Sequence, residues 1–397
     1  MGKVPVANRI GVSLIAFALS AVLTASPILV SESPGTNLQL TLKAIKSAQS
    51  TLWINAYELN STTITEAIVE QIKAGVKVDI LEEGQPVGGY TKTSKEARSS
   101  IMAAMGKKKG NNFYIMSASS TSARRFHFDH AKYILVDDQQ LLLGSENYSD
   151  TGNPKEGKKG NRGWEVLTEE AAISNRFHQI FKSDTDTSKG DVKKYTGTLV
   201  GINLVEELVF PEDENGRAKK KPGQGIQGID ADKIEIITSP DNSEKGILAL
   251  IDSAKSSLDV EQMSFNSNWK DKKSPFYDAL IRAAKRGVEV RVLLNDSTVF
   301  GGGSSASNPN LDTVKALNKV GGIKGSLKAK IADIEQMGVT YIHNKGVLVD
   351  GNKALVSSIN WTENSVVNNR EAALLITSTD VYDHYERLFE KDWSVSR

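Results

Sequence analysis

The chain has 397 residues, 39% of them hydrophobic and 24% charged, which is enough apolar mass for two ordinary globular domains. Its 49 Lys and Arg nearly balance 48 Asp and Glu, and a formal net charge of +1 argues against broad, sequence-blind capture of long nucleic acid. The absence of cysteine excludes disulfides, thiolate metal ligands, a cysteine nucleophile and a lipidated-cysteine anchor, and five histidines are too few for a His-rich metal centre.

In chain order, Lys3 and Arg9 precede an uncharged apolar run from Ile10 to Ala25. That run is shorter than the ~20 residues that span a bilayer. A positive start, a short apolar middle and small residues afterwards predict a secretory signal peptide over residues 1–25 and a secreted or periplasmic protein. From residue 28 the pattern reads strand, helix, strand, helix, strand: "ILVSESP", a helical stretch, "TLWINAYE", "EAIVEQIKAG", then "VKVDILEE". A glycine-rich loop, Gly84–Tyr90, and another helical stretch lead to "HAKYILVD" at 130–137. The same order returns from Glu235: "EIITSP", "SAKSSLDVEQMSFNS", "DALIRAAKRGVEVRVLLND", the loop Gly301–Pro309, and "HNKGVLVD" at 343–350. The offset between copies grows only from 206 to 213 residues, so the chain is an internal duplication with small insertions. Strands alternating with helices imply an α/β fold, α-β-α layered with mixed sheets, in two related domains spanning 26–200 and 234–397. Residues 201–233, rich in Gly and charge and carrying Lys219, Lys220 and Lys221, read as a solvated linker.

The repeated octapeptide carries the chemistry. Residues two apart in a strand share a face, so His130 pairs with Lys132 and His343 with Lys345. The apolar residues that follow mark buried strands, and a buried lysine calls for an anionic partner. Each motif ends in an aspartate, Asp137 or Asp350, and each is followed by hydroxyl and amide side chains: Ser145 and Asn147 in "GSENYS", Ser358 and Asn360 in "SSINWT". Further on come Glu165 in "NRGWEVL" and Glu371 in "NNREAALLI". His127, His178 and His384 read as structural, Trp361 as pocket wall or plain packing, and the Gly301–Pro309 loop lacks the Gly-Lys-Ser/Thr ending of a nucleotide-binding loop.

The spacing His-x-Lys-x4-Asp-x6-Gly-Ser-x-Asn resembles the signature of the phospholipase D superfamily. Both copies satisfy it, apart from Ser357 in place of Gly in the second. The resemblance covers essentially the whole chain after residue 25. It implies two domains related by a pseudo-twofold axis, with both histidines at one site. One histidine attacks phosphorus to form a phosphohistidine, and the other protonates the leaving alcohol and then activates water or an acceptor alcohol. On this pattern the catalytic set is His130, Lys132, Asp137, His343, Lys345 and Asp350, with the two aspartates bound within the fold. Lys132, Lys345, Asn147 and Asn360 hold the nonbridging oxygens, and Ser145 and Ser358 support that cradle. The family places a carboxylate downstream to orient each histidine. Glu371 stands in the matching place behind the second motif. Behind the first, Gly163 stands there, and Glu165, two residues on and on the same strand face, is the candidate. His130 is expected to be the nucleophile. No metal or other cofactor is implied, because the two lysines supply the charge. The expected substrate is the phosphatidyl group of a phospholipid, hydrolysed or transferred by a monomer in peripheral contact with a membrane. The alternative is a secreted endonuclease, with nucleic acid as the partner.

Overall fold

In two of the helices that flank the sheets, apolar residues at four-residue intervals are closed by a left-handed glycine. In Thr62–Ala74 the buried face is Ile64, Ile68 and Ile72, and Gly75 ends the helix in the left-handed conformation at φ 102°. In Pro275–Arg286 it is Leu280, Ala283 and Ala284, ended by Gly287 at φ 109°. The computed structural model describes residues 26–106, 109–116, 124–197, 226–300 and 308–397. The expected signal segment, 1–25, lies outside the described residues, as do Lys219–Lys221 and most of the Gly301–Pro309 loop.

The first half runs β1 (Ser26–Ser33), α1 (Asn37–Ser47), β2 (Thr51–Ala56), α2 (Thr62–Ala74), β3 (Lys77–Glu83), α3 (Lys92–Met105), β4 (Asn112–Met116), β5 (Tyr133–Val136), β6 (Gln140–Gly144), β7 (Gly163–Thr168), α4 (Ala171–Asp184), β8 (Val192–Lys194) and β9 (Gln227–Ala231). The second runs β10 (Lys233–Ser239), α5 (Ser243–Ser253), β11 (Ser257–Gln262), α6 (Pro275–Arg286), β12 (Glu289–Leu294), α7 (Pro309–Asn318), β13 (Ser326–Ile331), α8 (Ile334–Met337), β14 (Lys345–Val349), β15 (Lys353–Ser357), α9 (Glu363–Val367), β16 (Glu371–Thr377) and α10 (Thr379–Val395).

The sheet orders are β8-β4-β3-β2-β5-β6-β7-β1-β9 and β10-β16-β15-β14-β11-β12-β13. Stripped of its edge strands β8 and β9, the first repeats the second position for position. In each, three parallel strands (β2, β3, β4 or β11, β12, β13) adjoin an antiparallel set that carries the His-Lys strand. The end of the expected linker is thus part of the first sheet, because β9 pairs along β1.

Among the described residues three apolar cores fill the layers. One lies under α1, α2 and α3 and one under α5, α6 and α7. The third joins the halves, with Trp164 of β7 stacked on Tyr385 of α10 at 4.4 Å and 16°. Trp164 also lies so close to β14 that a Cβ at Gly346 would overlap its ring, so only glycine fits after Lys345. Two buried arginines lock the same interface in mirrored fashion. Arg162 of the first half binds Asp392 on α10, and Arg370 of the second binds Asp184 at the end of α4.

Candidate active site

Each motif histidine sits in an extended segment just ahead of its strand, and its backbone is held by the opposite half. His130 N–H donates to the Arg370 carbonyl (2.8 Å) and His343 N–H to the Arg162 carbonyl (2.9 Å). Arg370 and Arg162 donate back to Phe128 and Tyr341. Neither histidine can therefore be placed by its own domain alone. The lysines follow at the strand starts, 1% and 0% exposed, each Nζ donating to the carbonyl of its own motif histidine.

The electrostatics show the two motifs sharing one site. Burial first, and then the Lys132 and Lys345 charges set against Glu371, hold the His130 imidazole down at about 4. Burial, Lys345, Lys132 and His130 together push His343 well below its ordinary value. Burial lowers Lys132 to about 8, and burial plus the Lys132 charge lowers Lys345 to about 7. Each group feels charges from the other half, as expected where two half-sites converge on one anion.

The carboxylates depart from the expected assignment. Glu371 does not serve the histidine of its own half: its Oε2 accepts from His130 Nδ1 at 2.8 Å, across the interface. Ser358 Oγ (2.6 Å) and Asn369 Nδ2 (2.9 Å) donate to the same carboxylate. Burial alone would raise it, but His130, Lys132 and Asn369 overcome that penalty and keep the carboxyl below its ordinary value. An ionised carboxylate only accepts, so the His130 proton resides on Nδ1 and Nε2 carries the lone pair.

Glu165, expected to orient a histidine, does not reach either one. It accepts from Thr41 Oγ1 of α1 (3.2 Å) and Ser31 Oγ of β1 (3.4 Å), and burial raises it to about 8, so it is held protonated. The carboxylate beside His343 is Glu146, within "GSENYS", whose Oε2 lies 3.3 Å from Nδ1. The mismatch arises because Glu165 lies two residues further along β7 on the face it shares with Gly163, which delivers its carboxyl to α1 and β1 instead of to a histidine.

The other expected residues divide in two. Ser145 and Ser358 turn to the carboxylates rather than to an open cradle, donating to Glu146 and Glu371. Asn147 donates to Glu58 at 3.0 Å, and the Asn147 and Asn360 side-chain oxygens are buried without a hydrogen-bond partner among the described residues. Asp137 and Asp350 lie at the other end of β5 and β14, about 16 Å from the lysines at roughly 3.3 Å per residue. There each sits in a left-handed turn (φ 52° and 51°) and gathers three backbone N–H groups, from Gln49, Ser50 and Thr51 or from Lys255, Ser256 and Ser257. They hold the fold and do not touch the site.

Sequence reasoning missed three site residues besides Glu146. Tyr57, at the end of β2, sets its ring edge-on to His130 at 4.6 Å, and Tyr341 does so to His343 at 5.7 Å. Glu58 binds Asn147. The signal for Tyr341 was an aromatic two residues before each histidine, since Phe128 precedes His130 in the same way. Tyr57 and Glu58 fall where the copies differ, opposite Met263 and Ser264. Trp361 is fully buried between Phe265 and Phe276, which makes it packing rather than pocket wall.

The family model described as cardiolipin synthase, PLD-like domain, matches twice, over residues 41–185 and 247–393. The chain belongs to this phospholipase D-like family. The mitochondrial cardiolipin hydrolase of Danio rerio is 28% identical over 145 residues, 36% of this chain and 54% of that protein. Its Xenopus tropicalis counterpart is 27% identical over 115 residues, 29% of this chain and 47% of that one. The chain thus spans about half the length of the curated relatives it matches. The phosphatidylserine synthase structure of Haemophilus influenzae Rd KW20 aligns with 95% of this chain and 90% of its own at a TM-score of 0.60, with 11% identity, a likeness of fold across both phospholipase D-like halves.

Proposed function

We propose that this protein is an exported phospholipase D-type phosphodiesterase that hydrolyses or transfers the phosphatidyl group of a phospholipid. The observation that carries the reading is the His130–Glu371 bond across the interface, with the second histidine and both buried lysines electrostatically coupled to it. His130 Nε2 forms a bond to phosphorus as the P–O bond to the leaving alcohol breaks, and His343 gives that oxygen a proton. Water or an acceptor alcohol, deprotonated by His343, then attacks phosphorus and breaks the P–N bond. Lys132 and Lys345 offset the charge on the nonbridging oxygens. The anionic substrate supplies the negative charge that lets a proton rest on His343, which burial and the Lys345 and Lys132 charges by themselves disfavour.

The names of the family and of the relatives favour a phospholipid over a nucleic acid, and the near-neutral charge agrees. Peripheral membrane contact is supported by Val87 and Phe300, large apolar side chains that are 73% and 39% exposed. They stand in the loops that follow β3 and β12, equivalent places in the two halves. Among the described residues no helix is long and apolar enough to cross a membrane. Export rests on the composition of residues 1–25, and N-terminal sequencing of protein recovered from culture medium or periplasm tests it. A monomer is expected by gel filtration.

The deciding assay incubates wild type, His130→Ala and His343→Ala with cardiolipin or phosphatidylcholine vesicles plus ethanol, and separately with plasmid DNA, all in EDTA. Phosphatidylethanol from wild type, with at least ~10²-fold loss in both variants, is the expected result. Cut DNA with intact lipid would replace the lipid reading by the nuclease one. Activity abolished by EDTA would contradict a site run by two lysines.

A further inference from the structure

The two halves share a motif but not a carboxylate, and the difference has a structural logic. Aligned on the motifs, Gly163 corresponds to Glu371, and Glu146 corresponds to Ile359. The companions of the carboxylate have not moved. Glu371 is held by Ser358 and Asn369; Glu146 is held by Ser145 Oγ (3.3 Å) and Asn161 Nδ2 (3.0 Å), their counterparts in the first half. The space is also the same. A Cβ built on Gly163 would overlap Glu146 Oε1 and fall 2.6 and 2.7 Å from its Cγ and Cδ. Gly163 has an ordinary φ, so the missing side chain answers no demand of the backbone.

We infer that Glu146 is the positioning residue for His343, doing from the loop after β6 what Glu371 does for His130 from the start of β16, and that Gly163 is the vacancy that admits it. This assignment rests on the phosphodiesterase reading above. His343 Nδ1 lies 3.3 Å from Glu146 Oε2 but has no aligned hydrogen-bond partner among the described residues. A contact of that kind tightens when substrate closes the site. The Ser145 backbone also faces the His343 ring and is the competing orienter. Charged and titratable groups around Glu146 are Lys345 and Lys132, which lower its proton affinity against the effect of burial, with His343, Tyr341 and Glu165 also adjoining it.

The test measures turnover of bis(p-nitrophenyl) phosphate, a soluble phosphodiester that does not presuppose a lipid. Glu146→Gln, nearly isosteric, and Glu146→Ile should each lower kcat by about 10–100-fold with KM little changed. The limb of the pH–rate profile that belongs to His343 should shift in both. Gly163→Glu alone should also impair turnover, because two carboxylates cannot share one pocket. The double variant Glu146→Ile/Gly163→Glu rebuilds the arrangement of the second half and should recover at least about tenfold over Glu146→Ile. Glu165→Gln, which mimics an already protonated acid, should keep wild-type kcat and profile. Wild-type kcat and pH profile in Glu146→Ile would overturn the assignment in favour of the Ser145 backbone. A folded double variant no better than Glu146→Ile would overturn the exchange. Full turnover in His130→Ala and His343→Ala would instead remove the phosphodiesterase reading on which the assignment rests.

Discussion

Lys132 and Lys345 are both buried, and their depressed proton affinities record the cost. The sign of the consequence follows from linkage. Each folded value, about 8 and about 7, lies below the ordinary 10.5, so above about pH 7 the unfolded chain binds more protons than the folded one. The contribution of these two lysines to stability therefore rises with pH through that window. A bound dianion reverses the balance, because it needs both lysines charged. Sulfate, whose own charge is constant, should raise the unfolding temperature much more at about pH 6 than at about pH 9, where the lysines must first take up protons. Lys132→Met and Lys345→Met should lose most of the shift. Equal shifts at both pH values would show that the lysines do not form the anion site.

At the scale of the element, the spacing repeated in both octapeptides is the length of a strand. Lys132 immediately precedes β5 and Lys345 opens β14 at the site, and the aspartate follows directly after each strand at its other end. Burial works against the Asp137 carboxyl, but donors from Thr51, Gln49 and Ser50 more than offset it and hold it below its ordinary value; Ser256, Ser257 and Lys255 do the same for Asp350. Asp137→Asn and Asp350→Asn should each cost about 1–3 kcal/mol of stability, the worth of weakened charge-assisted bonds. kcat should be unchanged at temperatures where the variants stay folded. The contribution present at neutral pH fades as pH falls through the depressed native value, so the gap between wild type and variant in denaturant titrations should narrow in acid. Loss of kcat in a folded variant would return these residues to the chemistry. This division also shows what was legible beforehand. The duplication, the α/β alternation, the paired His-Lys segments and the role of the aspartates within the fold could all be read from side-chain types at fixed spacing. The short strand β4, the edge strand β9 and the cross-interface pairing of Glu371 with His130 could not. Strands of five residues without strict alternation carry little periodic signal, and a pairing between positions 130 and 371 depends on how the two halves dock. Glu146 was hidden for a third reason: its reach depends on an empty volume over Gly163, which only the packed structure defines.

At the scale of the whole molecule, the repeated halves place an exposed apolar side chain beside the tyrosine that meets each histidine. Three large apolar side chains are well exposed among the described residues, and two of them, Val87 and Phe300, follow the equivalent strands β3 and β12. Both connect to the chemistry through a tyrosine. Val87 N–H donates to the Tyr57 hydroxyl at 2.6 Å, and the Tyr57 ring meets His130; the Phe300 ring packs on Tyr341 at 5.0 Å, and Tyr341 meets His343. Full burial of a side chain of this size is worth about 1.5–3 kcal/mol relative to full exposure, so burying the exposed 73% of Val87 and 39% of Phe300 in a bilayer would raise surface affinity by about ten- to a few-hundred-fold without any membrane-spanning element. Val87→Asp and Phe300→Asp should therefore weaken sedimentation with phospholipid vesicles and lower turnover of vesicle substrate by about tenfold or more each. Turnover of bis(p-nitrophenyl) phosphate, which needs no surface, should stay within about twofold of wild type. A parallel fall on both substrates would mean that the substitutions disturb Tyr57 and Tyr341 rather than a membrane contact. Undiminished vesicle turnover would mean that these two side chains meet no lipid, and that a phospholipid substrate must reach His130 and His343 by another route.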